Sequence, residues 1–258
     1  MGNPKFNLPD GYDEQKLIKA LAEHYPLKQE ASVTENLTYY DTFDWRLFNS
    51  SLVLYESGKE FFLKQVGNDL ARHVKTTASP IFIQDFPEST IKKQLAPVIE
   101  MRALLKLVEV QTQVTPYRVL NEDEKTVAWL VIETVIPAGQ KEAETISLQQ
   151  VSVKPVRGYN EFEAVAAQFQ AIGCTPTEKD TYVLALESVG RQPGDYSSKL
   201  DVQLDPQMRS DEATKILLRA MLEVMKRNEE YVKKDIDTEF LHDFRVAVRR
   251  TRSAPVRP

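Results

Sequence analysis

The sequence predicts an α+β fold: antiparallel strands with flanking helices, followed by an all-α segment. Residues 37–65 (LTYYDTFDWRLFNSSLVLYESGKEFFLKQ) contain three short runs, 37–40, 47–55 and 60–64, rich in Tyr, Phe, Leu and Val. Asp-Thr-Phe-Asp and Ser-Gly-Lys break these runs, which is the pattern of consecutive strands joined by turns. Residues 127–136 form the longest apolar run, interrupted by Glu133, and read as the strongest strand. Beyond a stretch at 191–206 with two prolines, Gly194 and a Ser-Ser pair, apolar residues recur at helical spacing.

The elements follow in order. Residues 5–9 read as a short extended segment and Asp10-Gly11 as a turn. Asp13 is placed to cap a helix that sets Leu17, Ile18 and Leu21 on one face and ends before Pro26. After the strand block, residues 80–86 read as extended. Residues 88–107 read as a helix interrupted at Pro97, because proline does not continue a helix interior. Residues 108–114 and 117–120 read as two strands split by Pro116, and 121–123 as a turn. A loop is expected at 139–144 and a further strand at 146–153. Asn160 and Glu163 have capping-box spacing before a helix with Phe162, Val165, Ala166, Phe169 and Ile172 on one face and Gly173 as its C-cap. Thr177 is placed to cap a short helix that ends at Gly190.

These patterns divide the chain into a domain at 1–190, a linker at 191–206 and a helical unit at 207–258. In the helical unit, Ser210 opens a helix with Ala213, Ile216, Leu217, Ala220, Met221, Val224 and Tyr231 at helical spacing. Thr238 opens another with Leu241, Phe244 and Val248 as its inner stripe. A unit of roughly 50 residues is marginal alone. The expectation is that more helices follow, or that these two pack on the strand domain or on a partner.

Composition narrows the function. With 42% apolar and 28% charged residues, the 258-residue chain has the make-up of a soluble protein with a buried core. A net charge of −5 argues against a surface built for nucleic acid. The longest apolar run is too short to cross a bilayer, and residues 1–11 lack a signal-peptide core. Cys174 is the single cysteine, so no intramolecular disulfide forms, and a cytoplasmic location is expected. No nucleotide-loop or nucleophile-elbow motif occurs, and His24, His73 and His242 are too scattered to predict a zinc site.

One chemical pattern stands out. His242, Arg245, Arg249 and Arg252 fall at i, i+3, i+7 and i+10 on one helical stripe, with Arg250 beside it. Several guanidiniums on one face form a row of fork donors suited to phosphate oxygens. Asp243 on the same helix is placed to pair with a neighbouring arginine and weaken that field.

The string TYYDTFDWRL…LVLY…FFLK, within residues 38–64, resembles the CYTH family. LHDFRVAVRRTRS at residues 241–253 closely resembles the opening of the CHAD family, and the two families commonly share a chain in this order. The CYTH resemblance implies an antiparallel β tunnel barrel that holds a triphosphate. It implies Lys5, Lys64, Lys106 and Arg118 as phosphate-binding residues and Glu133 as a remaining metal-side carboxylate. The CHAD resemblance implies a polyphosphate-binding surface carrying His242, Arg245, Arg249, Arg250 and Arg252, and oligomerisation through its helices.

Magnesium is the cofactor the CYTH family implies, but its acids are replaced. The first-strand E-x-E-x-K pattern falls on Met1, Asn3 and Lys5, and later carboxylate positions fall on Leu148, Gln150 and Ser152. The family's arginine pair falls near Val53 and Tyr55, and another arginine falls on Val114, with Tyr117 retained. The expected function is binding of inorganic triphosphate or polyphosphate by a protein whose triphosphatase tunnel is degenerate. Two alternatives remain: an active magnesium-dependent triphosphatase acting on inorganic or nucleoside triphosphates, and a structural module that recruits a partner. Glu133, Lys106 and Arg118 are also read as ordinary surface residues, and Glu161 and Glu163 as helix-start residues.

Overall fold

A computed structural model describes residues 4–9, 13–67, 70–76, 79–138, 148–196 and 202–253. Met1, Asn3, the Asp10-Gly11 turn, the 139–144 loop and residues 146 and 147 lie outside them.

The first domain is an antiparallel sheet of ten strands. These are β1 (Lys5–Asn7), β2 (Leu27–Gln29), β3 (Val33–Asp41), β4 (Leu52–Ser57), β5 (Glu60–Gln65), β6 (Ala71–Lys75), β7 (Leu105–Leu120), β8 (Thr126–Pro137), β9 (Leu148–Pro155) and β10 (Thr175–Thr177). The ladder order is β10-β1-β9-β8-β7-β3-β4-β5-β6, with β2 also paired to β7.

Strand alternation gives the sheet two faces. On the outer face, helices α1 (Glu14–Ala22) and α4 (Glu161–Ile172) cover β1, β7, β8 and β9 through Leu17, Leu21, Val165, Phe169, Phe6, Ile132 and Val151. Helix α3 (Thr90–Ile99) covers β3, β4 and β5 through Ile91, Leu95, Leu54 and Phe61. On the concave face, helix α5 (Thr181–Glu187) packs Tyr182, Ala185 and Leu186 against Leu37, Tyr39, Val53, Val110 and Val135.

The curl of the sheet follows from two contacts. Gln150 on β9 and Lys64 on β5 bond to adjacent residues, Lys179 and Asp180. Five ladder steps separate β9 from β5, about 24 Å on a flat sheet. Both contacts therefore need the sheet to wrap into a tunnel around the segment that follows β10. Asp180 also accepts from Gly67 N (3.1 Å), so this segment joins the β10 side of the sheet to the β5 side through side-chain contacts.

Several local expectations hold. Asp13 accepts from Lys16 N (2.9 Å) at the start of α1, and Gly173 closes α4 at φ +96°. Others give way to stronger local contacts. Residues 83–85 form a 3-10 turn because Asp85 captures Phe82 N (2.8 Å) and Ile81 N (3.1 Å). Pro97 lies within the last turn of α3, which ends at Ile99, and Leu95 and Ile99 are fully buried on either side of it. β7 runs unbroken through Pro116. Its β3 ladder ends at Val114, its β2 ladder begins at Tyr117, and the Pro116 carbonyl accepts from Glu30 N (2.9 Å) between them. The missing N–H thus falls in a gap between two neighbours. Asn160 does not cap α4 with its side chain; Glu161 accepts from Asn160 N (2.9 Å) instead. Asp180, not Thr177, caps α5, and Thr177 pairs with Lys5 in the sheet.

The C-terminal unit is a helical hairpin of α6 (Ser210–Lys233) and α7 (Thr238–Ser253), and it packs on the strand domain. Phe240 meets Phe43 from the loop after β3 at 5.0 Å and stacks on Tyr231 at 4.5 Å. Arg102 pairs with Asp237 and Glu239 (3.3 Å each) and lies over the Phe43 ring. Asp237 also accepts from Ala103 N and caps α7 through Glu239 N, the role expected of Thr238. The buried stripe of α7 is Phe240, Asp243 and Ala247; the expected inner residues Leu241, Phe244 and Val248 are half-buried. Among the described residues no helix is long and apolar enough to cross a membrane.

Candidate anion-binding sites

Cross-strand register places the concave side chains in rows. One row crosses β7, β8, β9, β1 and β10 as Pro116, Val131, Ser152, Lys5 and Thr177. The next runs Val114, Glu133, Gln150, Asn7 and Thr175. A third holds Arg118, Trp129 and Lys154. Lys5, Arg118 and Glu133 therefore share the tunnel face, and Lys64 joins them from β5.

Three of these positions are already engaged by three consecutive residues. Gln150 Nε2 donates to the Lys179 carbonyl (3.2 Å), Lys64 Nζ donates to both Asp180 oxygens (3.0 Å each), and Thr181 Oγ1 donates to Glu133 Oε2 (2.6 Å). Asp180 is 2% exposed and also accepts from Gly67 N and Tyr182 N. Burial alone pushes its pKa up, but the Lys64 ammonium and the two N–H donors outweigh that and hold it below the usual carboxylate value.

The remaining tunnel candidates are placed differently. Arg118 pairs with Glu30 at 2.6 Å. Lys106 lies on the outer face opposite Tyr40, exposed and paired with Glu109, because a bulge at Tyr39–Tyr40 shifts its register. Glu133 has Val114 and Gln150 as cross-strand neighbours and a hydroxyl donor on its carboxylate. Magnesium takes carboxylates, waters and substrate oxygens in octahedral array; Glu133 is held by the Thr181 hydroxyl and the neighbouring Asp180 by the Lys64 ammonium, which does not fit that donor set. Among the described residues no three His, Cys, Asp or Glu side chains converge as a metal site.

On α7, His242, Arg245, Arg249, Arg250 and Arg252 are all exposed, and none has an ion-pair partner among the described residues. Asp243 does not pair with an arginine. It turns inward and accepts from Tyr196 Oη at 2.6 Å. The stripe borders the half-buried Phe244 and Val248, and these two with Arg245, Arg249, Arg252 and Ser253 line a shallow groove. Arg250 projects from the far side of Arg249, about 100° round the helix.

Residues 216–255 match the CHAD domain. That span includes most of α6 and all of Thr238–Ser253, so the exposed stripe lies within the matched residues. No curated protein matches this chain in sequence. The similar solved structures include these two. One is a putative adenylyl cyclase, HpAC1, from Hippeastrum, said to have a dominant triphosphatase activity (TM-score 0.44, 12% identity, 76% of this chain and 100% of that one). The other is the inorganic triphosphatase NE1496 (TM-score 0.24, 15% identity, 65% of this chain and 81% of that one).

Sequence reading missed Asp180 and Thr181. The available signal was Asp180 itself, a better N-cap than Thr177 for the helix that follows.

Proposed function

We propose that this protein binds inorganic triphosphate or polyphosphate along the outer face of the CHAD helix α7, and that its tunnel is weak or inactive as a triphosphatase. The observation that carries this reading is the stripe of His242, Arg245, Arg249 and Arg252, exposed and without ion-pair partners among the described residues. It extends over about 15 Å of helix. Guanidiniums already held by carboxylates would have to exchange partners to take a phosphate; these do not. The inward turn of Asp243 leaves their field undiminished from that side.

The tunnel supports the second half of the reading. Lys64 and Glu133, the cation and the carboxylate that a triphosphate site needs most, are bonded to Asp180 and Thr181. The lone cysteine, Cys174, is buried and reduced, in keeping with a cytoplasmic location.

Titration calorimetry with polyphosphate tests the binding. Affinity that falls as salt rises and disappears in Arg249→Glu supports it. Salt-insensitive or undetectable binding, with Arg249→Glu indistinguishable from the parent, rejects it. Magnesium-dependent release of phosphate from triphosphate, abolished by Glu133→Gln, would replace it with the triphosphatase reading.

A further inference from the structure

The groove on α7 has an apolar floor that phosphate binding does not use. Phe244 and Val248, one helical turn apart, are half-buried and line it together with Arg245, Arg249 and Arg252, around a volume of about 460 Å³. Leu241, also half-buried, continues the apolar strip by another turn toward the helix start. The three arginines follow one flank of this strip, and the buried stripe of Phe240, Asp243 and Ala247 closes the other. A phosphate polymer has no apolar part, so it satisfies the guanidiniums and leaves the strip in water. An apolar strip flanked by charge is instead the pattern by which one helix takes another: side chains interlock along the strip, and the flanking charges choose the partner.

We propose that this groove docks an acidic amphipathic helix from a partner protein. The helix lays its apolar residues on Leu241, Phe244 and Val248 and its carboxylates on Arg245, Arg249 and Arg252. The inference rests on the reading of α7 as an anion-binding face and adds a partner and a form of regulation to it. Helix and polyphosphate need the same arginines, so each displaces the other. Charge selects an acidic partner and argues against a second copy of this chain. Antiparallel two-fold pairing of two α7 helices would set the arginine row of one against that of the other, and like charges across an interface oppose that pairing. Carboxylates facing the guanidiniums form fork-type hydrogen bonds that fix the register of the docked helix. Strip and arginine row together run from residue 241 to 252, about 16 Å, which matches about three turns of a partner.

Fluorescence anisotropy with the whole 258-residue chain tests the docking. The probe is a labelled synthetic helix of about 20 residues, with leucines at i, i+3 and i+7 spacing and glutamates beside them. The control peptide has the same composition in an order that breaks the apolar face. The expected result is binding of the probe, displaced by added polyphosphate, with the control at least about tenfold weaker. Phe244→Gln and Val248→Gln should each weaken the probe by about tenfold while polyphosphate affinity stays at the parental value. Equal binding of probe and control overturns the proposal, because charge alone would then be recognised. So does parental probe affinity in both Gln variants. The comparison of probe with control uses the parent chain, so it stands even should a Gln variant fail to fold. Absence of probe binding with polyphosphate binding intact overturns the helix docking and leaves the phosphate reading in place. If neither ligand binds, both readings fall.

Discussion

Tyr196 Oη donates to Asp243 Oδ2 at 2.6 Å and lies 3.0 Å from Asn228 Oδ1, joining the segment after α5 to the buried faces of both C-terminal helices. Asp243 and Asn228 are 8% and 1% exposed, so water does not readily replace the hydroxyl. Tyr196→Phe keeps the ring that packs on Phe43 and removes only the donor. The expected cost is about 1–3 kcal/mol, the penalty of leaving a buried acceptor unpaired. Urea unfolding measures it; a midpoint equal to the parent's would show that Asp243 finds another partner.

Phe240 couples the hairpin to the strand domain. Its ring is 1% exposed and contacts Tyr231 from α6, Phe43 from the β3 loop and Tyr196 from the linker. Phe240→Ala should destabilise by about 3–5 kcal/mol, and protease should cut near residues 202–210 sooner than in the parent. If the cutting pattern is unchanged, the salt bridges from Arg102 to Asp237 and Glu239 are sufficient to hold the hairpin in place.

The four stripe cations should contribute unequally to polyphosphate affinity. Arg245, Arg249 and Arg252 each carry a planar guanidinium with five donors, whereas the imidazole of His242 has at most two. Each Arg→Ala change should weaken binding at least tenfold, in line with a charge-assisted hydrogen bond of about 1.5–3 kcal/mol. His242→Ala should weaken it less than any of the three, because an imidazole lacks the guanidinium's fork of donors. Competition binding with the four variants checks this, and a His242→Ala loss equal to the Arg→Ala losses would sink it.

Much of the strand domain was legible because its signals are local. Within residues 37–65 the strands alternate between a buried core and a concave face, and both faces are apolar enough to read as strands. The start of the 47–55 run is instead a short helix, Arg46–Asn49, and its strand begins at Leu52. Pro116 misled because its tolerance depends on where β2 and β3 stop, which no single-strand pattern contains. On α7 the apolar residues Leu241, Phe244 and Val248 read as the inner stripe. The true inner stripe includes Asp243, which only the distant Tyr196 makes burial-competent.

The candidate sites divide in the same way. The α7 stripe follows from helical spacing within one element, so its shared exposure was predictable. The tunnel set was not. Lys64 and Glu133 meet residues 116 and 48 positions away in sequence, and the partners sit at a helix start that was assigned to Thr177. Lys106 leaves the tunnel face through a one-residue bulge, the kind of slip that exchanges the two faces of a strand.

Two buried aspartates should give opposite pH dependences. Asp41, 1% exposed, accepts from Thr42 N, Leu47 N and Phe48 N at the start of helix α2 (Arg46–Asn49). Burial outweighs those bonds and pushes its pKa from 3.8 up to about 6. Between these values the folded state binds more proton than the unfolded state, so stability from Asp41 falls as pH rises, by on the order of 3 kcal/mol at neutral pH. Asp180, held below its ordinary value by Lys64 and the backbone donors, has the reverse sign: its contribution is present above 3.8 and is lost as pH falls further. Asp41→Asn should therefore flatten the decline of the thermal midpoint between about pH 4 and pH 6 while leaving the acid-side loss below that range in place. A parent and an Asn variant with parallel midpoint curves from about pH 3 to pH 7 would show that the Asp41 carboxylate does not titrate in that window.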